Sequence, residues 1–169
     1  MIAAWIFTAG ILLTSCSAPP PPASPEIERF RDEPCSLLTA VQLARLDVPP
    51  WSTENQGAAG PLCFWHDSNT SASVLIQWVE TAQGIARVYE RQADLGYFLP
   101  MPSIDGKPVI AYDSNDRRPA GHCGVDVGVN GELVIKVSIH QPRDEIGSAD
   151  PCQLAHDTAR MALTTLGAN

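Results

Sequence analysis

Five cysteines and four histidines are the side chains of this 169-residue chain best suited to covalent or metal chemistry. Cys16, Cys35, Cys63, Cys123 and Cys152 stand apart, with no CxxC pair. Structural zinc sites draw ligands two to four residues apart, which leaves only the step from Cys63 to His66 and the pair His122-Cys123 as hints of a metal centre. GxSxG, HExxH, P-loop and GxGxxG patterns are all missing from the sequence. His66, His122, His140 and His156 are widely spaced. His122 and His140 become diagonal neighbours on one sheet face if the strands around them pair as argued below, and with Asp126 they form the one arrangement a hydrolase or metal-dependent enzyme would use. Surface histidines are more often merely solvated, so the expectation is no catalytic residue, no metal and no cofactor. Asp113, Asp116, Arg117 and Arg118 read as a charged, solvated loop with the capacity to meet a partner. Trp51, Trp65 and Trp78 suit either a core or the lining of a ligand groove, the core being commoner. Asn69-Thr70-Ser71 fits a glycosylation sequon.

Cys16 has a distinct context. Residues 2–13 (IAAWIFTAGILL) carry no charge and are too few to span a bilayer, which takes about 20. They have the length of a signal-peptide core. Leu13-Thr14-Ser15-Cys16 follows at once and matches the bacterial lipobox: an aliphatic residue, two small residues, then the cysteine that receives a diacylglyceryl group. The departure from the pattern is an n-region with no Lys or Arg, only the amine of Met1. Residues 1–15 are therefore expected to be a lipoprotein signal peptide and Cys16 the lipidated first residue of the mature chain. Residues 17–25 (SAPPPPASP) favour polyproline II and cannot build a core. Together with the charged Glu26–Glu33, a helical turn or more spacer, they complete a tether over residues 16–33. The expected location is the outer face of the cell membrane, held by the lipid.

Residues 34–169 remain for one globular domain. Thr39 is a good N-cap with Gln42 as the reciprocal cap and Leu38 and Leu43 as a hydrophobic staple, for a helix ending near Leu46. Trp51–Pro61 reads as a loop. Leu62–His66 and Val74–Val79 read as strands, joined by the turn residues 67–73 (DSNTSAS). Ile85, Val88, Gln92 and Leu95 recur at near-helical spacing up to Gly96. Pro108–Tyr112 is a strand after the Asp105-Gly106 turn. Cys123–Val129 and Leu133–Ile139 alternate as a hairpin. A three-residue loop, Val129-Asn130-Gly131, pairs Val127 with Leu133 and puts both apolar rows on one face, with Gly131 as a left-handed bulge. Gly124, Asp126, Gly128, Glu132 and Lys136 then share the other face, where the glycines either leave a shallow trough or relieve twist and backbone crowding. Asp150 caps a last helix with Pro151 at its first position and Cys152, Ala155, Ala159, Ala162, Leu163 and Leu166 as its apolar stripe, up to Gly167. The expected fold is α+β: an antiparallel sheet of about five strands with helices on one face, in the order α-β-β-α-β-β-β-α.

With Cys16 lipidated, four cysteines remain, which allow three pairings. Sequence order favours Cys35 with Cys63 and Cys123 with Cys152, each tying a helix start to a nearby strand. Pro34-Cys35-Ser36-Leu37-Leu38-Thr39, Cys63-Phe64-Trp65 and Asp150-Pro151-Cys152, with the lipobox upstream, resemble a large family of actinobacterial lipoproteins common in mycobacteria and nocardiae and catalogued as a domain of unknown function. The resemblance covers residues 34–167. It implies a lipid-anchored, disulfide-bonded domain outside the cytoplasmic membrane and brings no established catalytic residues. Two Lys against nine Arg fit a GC-rich genome. A net charge of −8 excludes a general nucleic-acid binder. The expected function is a non-catalytic binding or accessory module of the cell envelope, its partner a membrane protein, a lipid or a wall component. The alternatives are the secreted enzyme built on His122, His140 and Asp126, and a lipid or small-molecule carrier with an apolar pocket between helices and sheet.

Overall fold

A computed structural model describes residues 24–167. The expected signal peptide, Cys16 and the Pro-rich run through Ala23 lie outside the described residues. The first described element is α1 (Pro25–Asp32), so the charged segment forms a helix. Ser24 caps it, Phe30 is buried, and the Trp78 indole N–H donates to the Phe30 carbonyl across 2.8 Å. A 3-10 turn at Pro34–Leu37 follows, then α2 (Ala40–Ala44). Its capping box is the expected one: Gln42 N–H donates to the Thr39 hydroxyl, and Thr39 N–H donates to the Gln42 side chain at 2.7 Å.

One sheet organises the rest. Seven antiparallel strands, β1 (Thr53–Gly57), β2 (Gly60–His66), β3 (Ser73–Glu80), β4 (Tyr97–Ile104), β5 (Lys107–Asp113), β6 (His122–Gly128) and β7 (Leu133–His140), run in the spatial order β1-β2-β3-β7-β6-β5-β4. Two of them correct the expected count of five, and both are edges. β1 (TENQG) is almost wholly exposed, so it shows no apolar alternation and reads as a loop. β4 (YFLPMPSI) contains Pro100 and Pro102, which only an edge strand tolerates because proline cannot donate to a ladder. The Asp105-Gly106 turn joins β4 to β5 with φ of 50° and 75°, the positive pair that a two-residue hairpin requires.

The β6–β7 hairpin keeps the expected faces but not the expected register. Val127 pairs with Ile135 and Val125 with Val137, two residues beyond the pairing with Leu133 and Ile135. A shift of two preserves side-chain parity. The cause is Asn130, whose side-chain oxygen accepts from both Glu132 N–H (2.9 Å) and Leu133 N–H (2.7 Å) and so builds a wider loop. Gly131 is not in the left-handed region. Glu132 stays in the loop, outside β7.

The helical span expected from Ile85 to Leu95 is shorter: α3 (Ala86–Glu90) followed by a 3-10 turn at Gln92–Asp94. Arg91, at φ −103° and ψ 9°, breaks the helical path between them. The last helix, α4 (Pro151–Gly167), matches expectation: Asp150 accepts from Cys152 N–H at 2.8 Å, and the whole apolar stripe is buried. α4 lies on one sheet face over β6 and β7, and its apolar stripe shares one buried core with Val125, Val127, Ile135, Val137, Trp65 and Trp78. Cys35 is bonded to Cys63 and Cys123 to Cys152, Cα atoms 5.0 Å apart in each pair, as sequence order favoured. No described helix is long and apolar enough to cross a membrane.

Candidate functional site

The opposite sheet face is where polar and ionisable groups gather. Alternation along β6 and β7 sends His122, Gly124, Asp126 and Gly128, and His140, Ser138, Lys136 and Val134, to this side, each directly opposite its partner in that order. Register extends the Asp126–Lys136 row to Ile110 on β5 and Gln77 on β3. α3 and the turn after it close over part of this face. Ile85, just ahead of α3, approaches Gly128 so closely that a Cβ there would meet its Cγ2 at 3.1 Å. Tyr89 packs edge-on against Phe98, ring centroids 5.3 Å apart. Gly128 is therefore a seat for the roof, and Gly124 makes room for its cross-strand partner Ser138, whose Oγ would lie 2.9 Å from a Cβ there.

Between roof and sheet lies a cavity of about 230 Å³, lined by Val79, Val88, Leu95 and Val134 on its apolar side and by Arg87, Arg91, Tyr112, Asp126 and Lys136 on its polar side. A second, of about 270 Å³, adjoins it through Arg91, Leu95, Tyr112 and Lys136 and runs past Gly124 and Ser138 to His122, Asp113 and Arg117. Together they form one cleft.

Asp126 is the focus. Its carboxyl is buried, Oδ2 accepts from the Tyr112 hydroxyl at 2.7 Å, and Oδ1 makes no hydrogen bond among the described residues. Lys136 Nζ stands 3.8 Å from Oδ1, too long for a hydrogen bond, and 4.9 Å from the centre of the Tyr112 ring. Burial pushes the Asp126 carboxyl above the usual carboxylate range, against the pull of Lys136 and the Tyr112 hydrogen bond. Burial and the neighbouring carboxylate raise the Tyr112 phenol far above its ordinary value, so it remains a donor. At the far end of the cleft His122 is held below its ordinary value, first by burial and then by Arg117; its Nδ1 has no hydrogen bond and lies 4.0 Å from Asp113.

His122 and His140 are a direct cross-strand pair, not the expected diagonal one. Asp126 is four residues from His122, about 13 Å along an extended strand, and its Oδ2 is engaged by Tyr112. The enzyme arrangement therefore does not converge. His140 Nδ1 faces the Gln141 carbonyl at 2.9 Å, and His156 is buried on α4 with Nε2 against the Pro102 carbonyl. No described group of three or more His, Cys, Asp and Glu side chains could hold a metal ion. Trp65 and Trp78 are core residues, while Trp51 is 72% exposed and away from the cleft lining. In the charged loop, Arg117 pairs with Asp113 at 2.6 Å and Arg118 with Asp116 at 2.7 Å.

Arg87, Arg91 and Tyr112 were not legible as site residues. Arg87 and Arg91 signal only by lying four residues apart beside the apolar Ile85 and Val88, and Tyr112 only as one residue of the apolar strand β5. No curated protein and no solved structure matches the chain significantly. A protein-family model described as "Protein of unknown function (DUF3558)" matches residues 12–165. With nearly the whole domain matched, the chain belongs to the DUF3558 family, whose function is unknown.

Proposed function

We propose that the chain is an envelope lipoprotein of actinobacterial type, exported, lipidated on Cys16 and held on the outer face of the cytoplasmic membrane, and that its domain is a non-catalytic binding module. The observation that carries the binding role is the cleft beneath α3, which brings charged, aromatic and apolar groups together on the face opposite the filled core. The location is supported by the hydrophobic run and Leu13-Thr14-Ser15-Cys16, and by two disulfides, which persist in oxidising surroundings. A single acyl chain holds a protein marginally and two or three hold it stably, so loss of the modified cysteine should be decisive. In the native host, Cys16→Ala is expected to move the protein from membranes to the soluble fraction and to abolish labelling by a fatty-acid analogue. Unchanged membrane retention would remove the anchor from the proposal.

A further inference from the structure

The protein carries a net charge of −8, yet its cleft concentrates cations. Arg87 and Arg91 both line the first cavity, four residues apart and hence on one side of their turn. Neither arginine makes an ion pair among the described residues; Arg31, Arg117, Arg118 and Arg160, by contrast, each have a carboxylate partner. Lys136 supplies a third positive charge from the cleft floor. The carboxylate closest to it, Asp126, is at 3.8 Å and is shifted by burial toward its neutral form, so it offsets Lys136 incompletely. Val79, Val88, Leu95 and Val134 supply an apolar stretch of wall beside the neutral polar groups of Gln77, Thr81 and Tyr112.

We propose that the cleft beneath α3 binds a small organic anion, its charged end held by Arg87, Arg91 and Lys136 and its apolar part lying against Val79, Val88 and Val134. This rests on the reading of the cleft as a binding site and specifies what it selects. An anion satisfies the two arginines at their shared side of the turn, and arginine's planar fork suits a carboxylate, phosphate or sulfonate group. The apolar walls give such a ligand an advantage over a bare inorganic ion.

The test uses two dyes that differ by one sulfonate, 8-anilinonaphthalene-1-sulfonate and neutral N-phenyl-1-naphthylamine, titrated by fluorescence into the full chain carrying Cys16→Ala. The expected result is at least tenfold tighter binding of the sulfonate, a margin that narrows as salt rises. Arg87→Gln with Arg91→Gln should erase that margin by weakening the sulfonate about tenfold and leaving the neutral dye unchanged. Both side chains are exposed, so folding is not at risk. The same charge removal on the other face, Arg29→Gln with Arg160→Gln, should change nothing. Equal affinity for the two dyes, or a margin that survives loss of Arg87 and Arg91, overturns the anion site. In that case, neutral-dye binding lost on Gly128→Val would keep the cleft as a binding site, and failure of both dyes would remove it as well. Pelleting separates the sources of the anion. Binding to phosphatidylglycerol but not phosphatidylcholine vesicles, abolished by the arginine pair, supports the proposal with a lipid headgroup. Dye selectivity without vesicle binding supports it with a soluble molecule.

Discussion

The two disulfides offer a controlled comparison. Cys35–Cys63 and Cys123–Cys152 close loops with sequence separations of 28 and 29. In the chain-entropy account, closing a loop of that length restricts the unfolded chain by about 3.6 kcal/mol at 25 °C. The two loops differ by only a few hundredths of a kcal/mol on that account, so any larger difference in the cost of removing them comes from the folded state. Cys123 and Cys152 are both fully buried between β6 and α4, whereas Cys35 is only half-buried. Replacing the buried sulfurs by alanine leaves more unfilled core space, an added cost of about 1 kcal/mol. The expected losses are therefore about 3.6 kcal/mol for Cys35→Ala with Cys63→Ala and about 4.6 kcal/mol for Cys123→Ala with Cys152→Ala. With an m-value of about 2 kcal/mol per M of urea, the midpoints fall by roughly 1.8 and 2.3 M. Since small domains are stable by about 5–15 kcal/mol, the variant lacking both bridges should lose about 8 kcal/mol, more than half of that range's upper bound. Circular dichroism during urea titration measures each midpoint. Losses below 1 kcal/mol for both pairs, or a larger loss for the Cys35–Cys63 pair, would refute the reasoning.

Asp126→Asn should be more stable than the parent at neutral pH. A carboxyl whose folded pKa lies above its unfolded value contributes stability below the unfolded pKa and loses it as pH rises through the folded one, so the advantage should grow from pH 4 to pH 7.5 in paired urea titrations; a constant or inverted difference would contradict it. Trp78→Phe removes the buried donor to the Phe30 carbonyl and should cost about 2–3 kcal/mol, with early proteolysis within α1 as the local signature. Gly128→Val drives branched methyls into Ile85 and Pro108 and should cost about 1–3 kcal/mol, with a loss of Tyr89–Phe98 contact visible in aromatic NMR shifts.

The features legible in the sequence are those fixed by local chemistry. The Thr39–Gln42 box, the Asp105-Gly106 turn and the Asp150-Pro151 helix start each occupy a few neighbouring residues and appear as read. Parity of β6 and β7 was legible because an apolar row must face the core. Their register was not, because it depends on which backbone groups the Asn130 side chain captures. Edge strands escaped for a related reason. β1 has one paired side and little burial, and the prolines of β4 look like breakers until the sheet leaves them at its margin. The cleft was half legible. Asp126, Lys136 and Gly124 were read onto one face, but Arg87, Arg91 and Tyr112 join them only because the chain between β3 and β4 folds back over the sheet, a closure that no local pattern encodes.

Both disulfides anchor to strands on the face that packs against α4 and the N-terminal turns, and neither touches α3. The two sides of the sheet thus differ in rigidity. One layer is covalently locked and separates from the sheet only by global unfolding. The roof is held by Ile85, Val88, the Tyr89–Phe98 contact and a backbone hydrogen bond at each end, Thr81 N–H to the Glu132 carbonyl and Gly96 N–H to the Asp113 carbonyl, with no disulfide, so it lies toward the low-stability end of the domain. Its amides should exchange with solvent far sooner than those of α4, and raising it leaves the core intact. The two staples thus lie on the core side of the sheet and leave the roof over the cleft without a covalent tie.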